Sequence, residues 1–236
     1  MGRVRPSAFG ITALLAALCI CTCACLALLA LRLEMTDSRE YIFLRWNLAL
    51  AWLPMGFALL TFWEYRSGAP GVLCVLSGLL WLLFLPNGPY LVTDVVHLGN
   101  TWASAPMWFD LVMFSVFGGT GLFLGYASLY LVHGVLAERY GATAGWGAIC
   151  AVFALSSVGI YFGRILRLNS WDAITRPELL VSIVHSRLAD PFGNPALFPL
   201  LGSMTVMLAV GYAIFVRSTR VAGQYVPRPN RTMAGR

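Results

Sequence analysis

The chain has 236 residues, 59% hydrophobic and only 11% charged, against about 25% charged in soluble domains, which predicts an integral membrane protein. All sixteen basic residues are arginine; the absence of lysine excludes Walker-type phosphate loops, Schiff-base chemistry and retinal linkage, each of which needs a lysine amine. The net charge of +6 is carried largely by a tail after Val216, where Arg217, Arg220, Arg228, Arg231 and Arg236 face no acidic residue, a flank suited to anionic lipid headgroups rather than to nucleic acid.

Arg3 and Arg5 precede an uncharged run from Ser7 to Leu31, too long for a signal peptide and without a small-residue cleavage site, so it predicts a first membrane helix. Its cysteines, Cys19, Cys21, Cys23 and Cys25, are spaced by two, a rotation of about 200° on a helix. They split into two pairs, make no ligand face and read as small packing residues. After a polar connection from Arg32 to Tyr41, a second helix is predicted over 42–63, with Arg45 and Asn47 near its start and Pro54 as a kink. A turn over 64–70 leads to a third helix, starting near Gly71 and breaking at Pro86, where the ring lacks a donor and crowds the preceding turn.

The break opens the most unusual stretch, LPNGPYLVTDVVHL, residues 85–98. On a helix Asn87, Tyr90, Asp94 and His97 fall within an arc of about 80°, with Val92, Val95 and Val96 on the other side. An aspartate beside a membrane segment is costly, roughly 2.5 to 3.5 kcal/mol at a helix centre on insertion scales, and marks a candidate functional site. Residues 99–110 return to the bilayer with the interfacial aromatics Trp102, Trp108 and Phe109, and Asp110 stands directly before a fourth helix, 111–132, whose Gly118, Gly119, Gly121, Gly125 and Ser128 permit close helix contact. A fifth helix over 142–163 ends in a second polar block, GRILRLNSWDAITRPELL. Thr175 to Glu178 has the form of a capping box with proline in the first turn, predicting an interfacial helix with Leu179, Leu180, Ile183, Val184 and Leu188 on its apolar face, Ser182 and His185 opposite, and Arg187 out of pattern. Residues 191–216 supply a sixth helix. The expectation is an all-α polytopic bundle of about six membrane helices with one or two short interfacial ones: a single membrane domain over 1–216 and a basic cytoplasmic tail over 217–236.

Six crossings put both polar blocks on one side of the membrane. The amino terminus, the second and fourth connections and the tail carry nine arginines against seven on the other side, or five when Arg164 and Arg167 are assigned to the site. The positive-inside rule then predicts cytoplasmic termini, an inner-membrane location and polar blocks at the outer boundary.

Arg164 and Arg167, three apart, are expected to share a helix face with Ser157 and to hold phosphate or carboxylate, or else to snorkel or pair with Asp94, Asp110 or Asp172 as a clamp. Asp94 and His97 can be a metal-ligand pair completed by Asp110 or Asp172, a carboxylate-oriented general base, or simple partners of Arg164. Asn87 reads as a turn residue or a ligand, and Tyr90 lies on the same face. Asn169 and Ser170 can cap a helix begun at Trp171, with Asp172 in its first turn, and Asn169 and Trp171 are also candidate substrate contacts. His133 lies across the membrane from His97 and His185, which argues against a bis-histidine haem. Ser156 and Ser157 are expected to hydrogen-bond within their helix. Cofactor, metal and protein partners stay open.

The strings LPNGPYLVTDVVHL, WFDL and GIYFGRILRLNSWD resemble the signatures of a family of bacterial integral membrane proteins known as domain of unknown function 1361. The resemblance is sharpest over 81–177. The family usually carries alanine where this chain has Gly88, a small change for the turn. The resemblance implies a polytopic membrane protein and brings no reaction, substrate or cofactor. Three functional readings follow from the residues: a membrane-embedded enzyme acting on a lipid-linked or phosphorylated substrate, with Asp94, His97, Asp110 and Asp172 as catalytic groups and Arg164, Arg167, Asn87, Tyr90, Asn169 and Trp171 as substrate contacts; a transporter or channel component with a broken third helix; and a structural or partner-binding subunit locked by its charges.

Overall fold

The computed structural model describes residues 8–98, 105–190, 193 and 197–224. Arg3, Arg5, Trp102, Pro191 and the tail arginines Arg228, Arg231 and Arg236 lie outside the described residues, as do the side chains of Arg187, Leu188 and Arg220. All regular structure described is helical: α1 (Ala8–Thr36), α2 (Phe43–Ser67), α3 (Gly71–Phe84), α4 (Asn87–Thr93) running into a 3-10 turn (Asp94–His97), α5 (Met107–Tyr140), α6 (Ala142–Arg164), α7 (Asp172–Thr175), α8 (Pro177–Ala189) and α9 (Leu197–Gln224). Among the described residues six segments are long and apolar enough to cross a membrane, with α3, α4 and the 3-10 turn together forming the third. The protein is a multi-pass membrane protein.

The helix ends follow from their sequences. Gly68 adopts φ 71°, and the N–H groups of Gly68 and Ala69 return to the carbonyls of Tyr65 and Glu64, the glycine-terminated pattern that satisfies the last carbonyls of a helix. Pro70 then precedes α3. Pro86 and Pro89 each remove a backbone donor, and the third span breaks into α3 and α4 there as expected. By contrast, Pro54 sits buried inside an uninterrupted α2.

Helix α5 is the central column. α1, α2, α4 and α6 pack on it, α3 packs on α2, and α9 packs on α6. The short α4 is wedged between α2, α5 and α6, backbone against backbone with α5. A Cβ on Gly88 would meet the Gly121 carbonyl oxygen at 2.8 Å, and one on Gly118 would meet Val92 Cα at 3.2 Å. Interhelix contact rather than turn geometry therefore constrains Gly88, and an alanine there requires α4 to stand off α5. Cys25 is buried against Thr120 of α5 while Cys19 and Cys23 are exposed, so the cysteine run does divide between packed and outward faces.

Three local expectations are corrected. Helix α1 continues to Thr36, so Arg32 lies inside it and is fully buried rather than in a connection. The Thr175–Glu178 capping box does not form: the Thr175 hydroxyl donates to the Trp171 carbonyl within α7, and α8 begins at Pro177 without a side-chain cap. Helix α6 ends at Arg164, and Arg167 follows in the left-handed region at φ 56°. The two arginines therefore do not share a helix face. Ser157 bonds the Phe153 carbonyl and Thr205 of α9, whereas the buried Ser156 hydroxyl has no hydrogen-bond partner among the described residues. His133, on α5, meets the Tyr212 hydroxyl at 2.9 Å and packs on Trp146.

Candidate functional site

The break at Pro86 carries Asn87, Tyr90, Thr93, Asp94 and His97 to one end of the bundle, against the last turn of α6 and the first of α2. The Asp94 carboxylate, 1% exposed, accepts hydrogen bonds from the Arg164 guanidinium on one oxygen and from Asn47 Nδ2 at 2.9 Å on the other. Arg164 also donates from Nε to Thr93 Oγ1 at 2.9 Å and from Nη1 to His97 Nε2 at 3.2 Å, and its charge lies 4.2 Å from the centre of the Tyr90 ring. A guanidinium has only donors, so His97 Nε2 accepts and the ring proton resides on Nδ1. Arg164 thus fastens α6 to α4 through four partners, and its guanidinium fills the gap between Asp94 and His97. Among the described residues no three His, Cys, Asp or Glu side chains gather as a metal set.

Asp110 belongs to a different cluster. Its two oxygens accept from Nε and Nη2 of Arg32 at 3.0 and 3.4 Å. Arg32 also donates to Thr36 Oγ1 at 3.3 Å and lies 4.1 Å from the centre of the Tyr41 ring. Tyr41 in turn donates from its hydroxyl to the His97 carbonyl at 3.3 Å, joining the two clusters through backbone. Asp172 serves the loop after α6: it accepts the Asn169 backbone N–H at 2.6 Å, and its contact with the exposed Arg176 is long at 4.0 Å. Trp171 packs edge-on against Trp46 of α2.

Between α2, α3–α4, α6 and the following loop lies a cleft of about 770 Å³. Its lining is mixed: Asn47 is followed by Leu50 on α2, Asn87 is preceded by Pro86 and Leu83 toward α3, and Arg164 is preceded by Phe162 and Gly159 on α6, while Trp46, Val96, Ile165, Leu168 and Leu180 add apolar surface beside the polar groups. The outer rim is completed by Arg167, Asn169 and Ser170. Asn87 Nδ2 donates to Phe84 O at 2.8 Å and to Ser170 Oγ at 3.0 Å, both from its donor end, so its carbonyl oxygen remains to accept. Arg167 is exposed, lines the rim and has no ion pair or hydrogen bond with the described residues. Its left-handed backbone, where glycine is the usual occupant, costs about 1 kcal/mol.

Asn87, Tyr90, His97, Arg164, Arg167 and Asn169 therefore line one cleft, with Asp94 directly behind the wall. Asp110, Asp172 and Trp171 do not line it. Sequence reasoning did not assign Thr93, Asn47, Trp46 or Arg32 to a site. Asn47 and Arg32 were discoverable as polar groups within long apolar segments; their partners, 47 and 78 residues away, were not.

The family model described as "Protein of unknown function (DUF1361)" matches residues 46–210. The chain belongs to that family. The DUF1361 match spans the whole cleft and leaves Arg32, partner of Asp110, outside it. Neither the curated proteins nor the solved structures contain a match to the chain.

Proposed function

We propose that the cleft is the substrate site of a membrane-embedded enzyme acting on a lipid-linked or phosphorylated amphiphile, the apolar part lying along Leu50, Leu83 and Phe162 and the polar headgroup at the rim. The supporting observation is one cleft whose lining joins Asn47, Asn87, His97, Arg164 and Arg167 to the apolar Leu50, Leu83 and Phe162, as expected of a site that takes an amphiphile. The excess of arginines on the opposite side supports an outer-boundary position for that rim. His97 is the imidazole on the cleft wall and the acid–base candidate. Asp94 acts through Arg164 as a positioning group, while Asp110 holds the Arg32 side chain and Asp172 the Asn169 backbone.

The four partners of Arg164 favour a second reading, in which the polar network is purely a fold-locking clamp. The two separate on Leu83→Trp, which fills the apolar end without touching the network. In detergent-purified protein examined by native mass spectrometry, the enzyme reading expects co-purified lipid on the wild type and its loss from Leu83→Trp at unchanged melting temperature. Lipid retained by a folded Leu83→Trp protein sinks the cleft as a substrate site.

A further inference from the structure

Within the proposed amphiphile site, and resting on that reading, the two arginines have separate tasks. We infer that Arg167, and not Arg164, is the residue that binds the headgroup, and that the headgroup carries a single negative charge, as a phosphodiester does. Arg164 already has Asp94, Thr93, His97 and the Tyr90 ring around its guanidinium. An anion competing for it must displace a buried carboxylate. Among the described residues Arg167 has no such partner, and it stands on the cleft rim beside Asn169 and Ser170, whose amide and hydroxyl supply the neutral donors that complete phosphate recognition.

The backbone supports this assignment independently. The chain leaves α6 through a loop closed by the Leu168 N–H on the Phe162 carbonyl, with Arg167 at φ 56°. Glycine meets that conformation without steric conflict, and the arginine side chain makes no hydrogen bond or ion pair with the described residues in return for it, its charge acting only electrostatically on the nearby Tyr90 phenol. A strained non-glycine residue on a cleft rim is the kind of feature retained for binding rather than for stability. One unpaired cation matches one negative charge; a diphosphate would bring excess charge into a rim that holds no second free cation among the described residues.

The test compares full-length wild type, Arg167→Gly, Arg167→Gln and Leu83→Trp. Each is titrated with short-chain phosphatidylglycerol, short-chain phosphatidylcholine and a polyprenyl diphosphate, and melting temperatures are recorded alongside. The inference expects the wild type to prefer phosphatidylglycerol over both other lipids at least tenfold. Both Arg167 variants lose that preference, and Arg167→Gly melts at or above the wild-type temperature. Wild-type preference in Arg167→Gln, preference for the diphosphate, or a clear drop in the melting temperature of Arg167→Gly each overturns it. Leu83→Trp distinguishes the two levels. Loss of all lipid binding there with Arg167 variants unaffected refutes the arginine assignment and leaves the cleft standing. Full binding by folded Leu83→Trp refutes the cleft itself.

Discussion

Two arginine–aspartate pairs stand at the same end of the bundle and differ in what surrounds them. Arg32–Asp110 joins α1 to α5 with the arginine at 0% exposure, its remaining contacts taken by Thr36 and Tyr41. Arg164–Asp94 joins α6 to the 3-10 turn after α4 with an aspartate 1% exposed, but its arginine is 14% exposed and forms part of a cleft wall. The same chemistry therefore serves two ends: a sealed pair fixes helices, whereas a pair at a wall also orders the side chains that face a ligand. Burial of charge by itself does not identify a site. The empty volume beside it does.

Breaking the sealed pair gives the largest expected effect. Arg32→Ala leaves a buried carboxylate uncompensated and is expected to cost about 3 to 5 kcal/mol, read as loss of folded protein in detergent; Arg32→Met combined with Asp110→Leu recovers most of it. Breaking the open pair costs less, because Arg164 keeps three other partners and reaches the cleft: Asp94→Ala is expected to lose about 2 to 3 kcal/mol, measured by thermal unfolding. Asn47→Leu removes one hydrogen bond to the same carboxylate, for a loss of about 1.5 kcal/mol, and a double-mutant cycle with Asp94→Ala should show the two effects to be strongly non-additive. The smallest effect is expected at Thr175→Ala, remote from both pairs, where the missing capping box predicts a change below about 0.5 kcal/mol.

Much of this arrangement was legible from residue order. The six spans, the break at Pro86 and the gathering of both polar blocks at one end follow from hydrophobic run length and crossing parity. The face bearing Asn87, Tyr90 and His97 followed from helical spacing and survives the shift to a 3-10 turn after Thr93. Pairing was not legible. Asp94, Asp110 and Asp172 were equivalent candidates for Arg164, and only the packing of α1 on α5 hands Asp110 to Arg32. Arg167 was misread because spacing of three implies a shared face only while the helix lasts, and α6 stops at Arg164. The contact of Gly88 with Gly121 joins residues on different helices, which local turn preference does not address.

The chain separations of the two pairs set an order of assembly during synthesis. Arg32 is made 78 residues before Asp110, so the sealed pair is complete as soon as the fourth span enters the bilayer. Asp94 waits 70 residues from its own synthesis for Arg164, on the order of 10 s at the slower ribosomal speeds. Through that interval the nascent chain holds the Asp94 carboxylate without its cation, with Asn47 as the other donor the folded protein gives it. A ribosome stalled before the sixth α6 turn is completed therefore leaves a chain with an unsatisfied charge at the bilayer, the kind of lesion that membrane quality-control proteases read, while its central column is already locked in place.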